Sequence, residues 1–141
     1  MHVASGAALE TLRKTIPPLM QQVITSMDFP YDGQYHGVYK ERQKEAARIL
    51  FEAMDIAREE KARRNDAFMR NFTFFDAPHV AFLFMPQEHG LREAMDVGMY
   101  AQSLMLSLTA LGLGSCPQTS LGFHADTVRE ITRVRAVLAL E

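Results

Sequence analysis

The sequence is poor in the features that announce a special chemistry. A single cysteine, Cys116, occurs in 141 residues. That excludes a disulfide framework and every zinc or iron–sulfur site built from several thiolates. Net charge is nearly absent, with 15 Lys and Arg against 17 Asp and Glu. A nucleic-acid surface needs a clustered basic excess, and there is none. No apolar run approaches the roughly 18 residues a membrane-spanning helix needs, and Met1-His2-Val3 opens no signal peptide. What remains is an ordinary globular composition, 48% apolar and 23% charged, which excludes wholesale disorder. At about 100–200 residues per domain, the length fits one domain or part of one. The expectation is a soluble, cytoplasmic protein.

Periodicity divides the chain into elements. His2-Val3-Ala4 is too short for an independent strand and fits the tail of one. Ser5-Gly6 has the composition of a helix cap, and Leu9, Leu12 and Ile16 follow at helical spacing. Pro17-Pro18 is expected to end that helix, because proline disfavours helical backbone in the residue before it. Leu19, Met20, Val23, Ile24 and Met27 predict a second short helix, and turn formers fill 28–37. Val38 to about Phe72 reads as helix, broken near Met54-Asp55. Its charged run Arg58–Arg64 balances acids against bases and reads as a solvated face. His79–Met85 has the composition of a buried strand. Arg92–Leu113 reads as a long helix, apolar over so much of its circumference that it belongs at the centre of a fold or at a subunit interface. An irregular loop over 112–122, an amphipathic helix over Phe123–Thr132 and a strand over Ala136–Leu140 complete the series. The fold class is α+β and helix-rich, with a small incomplete sheet, as a single domain that is partial at both ends.

Few residues invite a catalytic reading on their own. His2, His36, His79, His89 and His124 fall in different elements, with no pair at metal-ligand spacing, so structural or surface roles are expected. Cys116 has no local base and is expected to be a small buried thiol. Gly112-Leu113-Gly114 lacks the third glycine of a dinucleotide loop, since Pro117 stands in its place, and it follows a helix rather than a strand. The loop has two readings. It is either an ordinary helix stop and connector, or a place where small residues let backbone N–H groups approach a flat ligand.

Two segments, taken together, carry a resemblance. Asn71-Phe72-Thr73-Phe74-Phe75-Asp76-Ala77-Pro78 leads into the expected strand. Asp96-Val97-Gly98-Met99-Tyr100-Ala101-Gln102-Ser103-Leu104-Met105-Leu106 leads through Ala110-Leu111-Gly112-Leu113-Gly114 into Ser115-Cys116-Pro117-Gln118. Their order and separation resemble the FMN-dependent nitroreductase family. The resemblance implies an α+β fold whose long central helices form a homodimer with flavin held at the interface. It implies a flavin-dependent oxidoreductase that takes electrons from NAD(P)H through FMN to nitroaromatic, quinone or similar flat acceptors. It assigns cofactor binding to Pro117, Gln118 and Thr119, over the flavin ring with a main-chain N–H near N5, and to Ser120 as an addition. Met85–Glu93 corresponds to a region that lines the substrate channel. No catalytic side chain and no metal is assigned.

The basic segments that hold the FMN phosphate in this family correspond to chain before His2 and after Glu141. Without arginine partners a dianionic phosphate loses its charge-assisted hydrogen bonds. The alternative reading is therefore a non-catalytic remnant or helical dimerisation protein that binds no flavin.

Overall fold

The computed structural model describes residues 1–29 and 33–133. Strand β1 (His2–Ser5) pairs antiparallel with β2 (His79–Phe82), from His2↔Phe82 to Ser5↔His79. Among the described residues these two make the whole sheet. So short an opening strand persists because its partner comes from mid-chain. The apolar run 79–85 is strand only to Phe82 and is not buried on both faces. Val80 and Phe82 are half-buried and pack on the core, while His79 and Ala81 face outward. Only one face of this ribbon is covered.

Helix α1 (Gly6–Gln21) buries Leu9, Leu12 and Ile16 on one stripe, as their spacing requires. Ser5 sits at the cap position with extended backbone, but its side chain caps nothing. Pro17 and Pro18 do not end the helix. They lie inside it, and the expected second helix shrinks to its last turn. Tertiary packing outweighs the local penalty here, because Ile16 is fully buried and Met20 packs against the same core.

The helix expected over 38–72 is two helices, α2 (Gly37–Ala53) and α3 (Lys61–Met69), separated where Met54 and Asp55 turn the chain. Asp55 takes a φ of +52° and Ile56 is buried beneath the turn. A 3-10 turn (Arg70–Asp76) then leads to β2. Helix α4 (Leu91–Ala110) is followed by a loop, a 3-10 turn (Ser120–Phe123) and α5 (Ala125–Thr132). Ser26 ties α5 to the end of α1: its carbonyl accepts from Ala125 N–H at 3.0 Å, and its hydroxyl accepts from Asp126 N–H at 3.1 Å. Arg129 adds a bidentate pair to Asp28 at 2.6 and 2.9 Å. The expected strand Ala136–Leu140 and loop residues Pro30, Tyr31 and Asp32 lie outside the described residues.

The core is small and one-sided. Ala4, Leu9, Leu12, Ile16, Phe72, Phe74, Leu121 and Val128 form it, from β1, α1, both 3-10 turns and α5. Helices α2, α3 and α4 bury no residue. On α2, Arg48 bridges Glu45 and Glu52 across a solvated face. Helix α4 is therefore not central within this chain: Leu91, Met99 and Leu106 are 87%, 60% and 61% exposed.

Candidate active site

The C-terminus of α4 builds the loop. Gly112 adopts a left-handed φ of +74°. Its N–H donates to the Thr109 carbonyl at 3.0 Å, and Leu113 N–H donates to the Leu108 carbonyl at 2.9 Å. This is a Schellman ending, and the glycine is required by the sign of its φ. The chain leaves α4 across the surface and is anchored again where Leu121 enters the core. Gly122 N–H donates to the Thr119 carbonyl at 2.9 Å, closing the turn.

Between these anchors lie the residues assigned from sequence. Pro117 and Thr119 are exposed, and Gln118 and Ser120 are half-buried. Among the described residues, the main-chain N–H groups of Gln118 and Thr119 have no acceptor. Cys116 is exposed, against the expectation of a buried thiol, since no described element covers the loop. Its sulfur accepts from Gln118 Nε2 at 3.3 Å.

The Asn71 segment meets the chain just beyond this loop. Ser120 Oγ lies 3.5 Å from Asn71 Oδ1, and the buried ring of Phe72 stands edge-on to His124 with centroids 5.7 Å apart. His124 begins α5 and is 1% exposed, and among the described residues its Nε2 has no partner. Burial holds its pKa below the ordinary histidine value. The other four histidines are half-buried or exposed.

Sequence reasoning missed how the Asn71 segment is held. Phe74, Phe75 and Asp76 take φ of +59°, +49° and +61° in succession, without a glycine among them. Such backbone costs on the order of 1–3 kcal/mol per residue and persists only where surroundings enforce it. The enforcement is visible. Arg13 donates from Nε to the Thr73 carbonyl at 3.2 Å and from Nη2 to the Ala77 carbonyl at 2.7 Å. Arg70 contacts Asp76 at 3.3 Å and lies over the Phe75 ring at 5.3 Å. Phe74 is buried against Phe82. No local signal marks this kink, because arginine and phenylalanine declare no turn.

A shallow recess of about 320 Å³ opens at the base of the Met85–Glu93 loop, lined by Met1, Leu83, Phe84, Asp96, Val97 and Tyr100. It does not reach Pro117–Ser120. The donor pair at Gln118 and Thr119 suits the electron-rich edge of a flavin ring, which accepts hydrogen bonds. Among the described residues, no lysine or arginine bonds to this loop, so the groups shown here fit the ring and not the phosphate.

A model of the nitroreductase family matches residues 32–140, across both segments and the loop they share. The chain belongs to the nitroreductase family. It is 41% identical to nitroreductase NfnB of Mycolicibacterium smegmatis over 92% of its own length and 56% of that protein. It is 29% identical to a 4-nitrobenzoate reductase of Pseudomonas putida, over 65% of its length and 40% of that protein. The crystal structure of FMN-dependent NfnB from Mycobacterium smegmatis with NADPH superposes with a TM-score of 0.87 at 40% identity. That match covers 95% of this chain and 61% of the other. FMN- and NADPH-dependent NfnB from Sphigopyxis sp. strain HMH superposes at 0.86 with 27% identity, covering 94% and 61%. This nitroreductase chain therefore has the nitroreductase fold, and spans between two fifths and two thirds of these relatives.

Proposed function

We propose that the chain is a single nitroreductase domain serving a flavin-dependent oxidoreductase, with NAD(P)H as electron donor and nitroaromatic, quinone or similar flat compounds as acceptors. The observation that carries this is the meeting of Asn71 with Ser120 beside two adjacent N–H groups that have no acceptor among the described residues. The FMN-dependent NfnB seen with NADPH and the FMN- and NADPH-dependent NfnB support the cofactor assignment.

In this reading FMN, when bound, supplies hydride acceptance from the nicotinamide and onward delivery to the acceptor. The protein supplies position. Pro117 fixes one backbone angle of the loop, and Gln118 or Thr119 donates a main-chain N–H near N5. Ser120, held beside Asn71, limits how far the loop can shift. The compartment that goes with a nicotinamide donor in this reading is the cytoplasm. The exposed apolar length of α4 is the surface through which two copies pair.

The test compares Thr119→Ala with Thr119→Pro in folded, flavin-loaded protein. Alanine keeps the N–H and should leave activity close to that of the parent. Proline deletes the N–H and restricts Gln118; losing one preorganised donor costs up to roughly 2.7–4 kcal/mol of barrier in a well-ordered site. Equal activity in the two variants removes the loop from the site. Protein that stays colourless after FMN addition removes the flavin reading itself.

A further inference from the structure

We propose that Arg13 is a positioning residue for the candidate flavin loop, acting from α1 through the strained turn at Phe74–Asp76. The proposal rests on the flavin reading for its functional consequence, but its structural half stands alone.

Arg13 is placed to grip both ends of the kink. Its guanidinium reaches Thr73 on one side of the three left-handed residues and Ala77 on the other. Both acceptors are neutral carbonyls, yet the side chain is only 21% exposed, and Glu10 holds its remaining nitrogen. A planar fork is suited to bridging two acceptors at fixed separation, which a lysine ammonium is not. Releasing these bonds leaves the strain in the turn with fewer restraints, and relaxation of Phe74–Asp76 must move what precedes it. Asn71 and Phe72 lie just before it, beyond Thr73, and they touch the loop side at Ser120 and His124. The chain of contacts is short and continuous: Arg13, the kink, Asn71 and Phe72, then Ser120 and His124.

The readout is hydrogen exchange of flavin-free protein at the amides of Gly122 and His124. Both donate within the loop's closing turn, to Thr119 and Leu121. Arg13→Met, which keeps the length and loses the donors, should speed exchange at both amides about tenfold, a part of what two lost hydrogen bonds from a charged group carry. Arg13→Lys should give partial recovery, and it replaces the methionine variant if circular dichroism shows that variant unfolded. Asn71→Ala should loosen the same amides, and adding Arg13→Met to it should change them little further. Faster exchange confined to α1 and 73–77, with Gly122 and His124 as in the parent, overturns the proposal. A second arm titrates FMN by fluorescence, with affinity of Arg13→Met expected to fall about tenfold. A parent that binds no FMN defeats the functional reading and leaves the exchange result to decide Arg13. A loosened loop with unchanged FMN affinity overturns the positioning role.

Discussion

At His124 and at Gly112 a single side chain, or its absence, sets a measurable property. His124 is sealed in the core, its Nε2 has no partner among the described residues, and burial depresses its pKa below 6.5. The unfolded chain therefore takes up a proton that the folded chain resists. Stability from keeping this ring neutral is complete above the unfolded pKa, and it declines as pH falls through about 6.5 toward the folded value. The slope for one proton is at most about 1.4 kcal/mol per pH unit. Urea midpoints at pH 7.5 and 5.5 should differ in the parent and converge in His124→Leu; an unchanged difference would remove His124 as the cause. Gly112→Ala meets no neighbouring atom, so its whole cost is the left-handed backbone, about 1–2 kcal/mol. Gly114→Ala, with no positive φ and equally open space, should be near neutral and serves as its control.

Among the elements, α1 shows where local rules lose. Proline removes two donors from its last turns, yet buried Ile16 and packed Met20 carry the helix through. Pro18 is exposed, so Pro18→Ala should restore a helical N–H without emptying the core. A gain of about 1–3 kcal/mol is expected, read as a higher thermal midpoint; a loss would mean that Pro18 supports packing. The stripe Leu9, Leu12 and Ile16, the break at Met54-Asp55 and the glycine stop after α4 were all legible, since each is a local signal of spacing or backbone freedom. The kink at Phe74–Asp76 was not, because its cause is an arginine sixty residues earlier in the chain. The exposure of Cys116 was not legible either, because a small apolar side chain is equally at home under a neighbouring element or on an uncovered loop. For the candidate site, the assignment of Pro117–Ser120 comes from a family pattern alone. Its contact with Asn71 required the fold.

At the scale of the whole molecule, the distribution of apolar surface is the central fact. The core lies on one side, around α1, and the twenty-residue α4 contributes nothing to it. Leu91, Met95, Met99 and Leu106 on that helix, and Leu111 just past its end, are all more than half exposed. Exposed apolar residues in this number suit a partner surface, and a second copy is the occupant proposed above. If a second copy covers α4, association stabilises the folded state by mass action, so the thermal midpoint must rise with protein concentration. Met99→Lys or Leu106→Lys should abolish that rise, because an ammonium buried in an apolar interface lacks a partner. In the monomer both positions are solvent-exposed, so the variants should keep the parent's far-ultraviolet spectrum and sediment as folded monomers. Sedimentation velocity across a hundredfold concentration range makes the comparison. A parent that remains monomeric throughout, with a midpoint independent of concentration, would show that α4 serves some other contact.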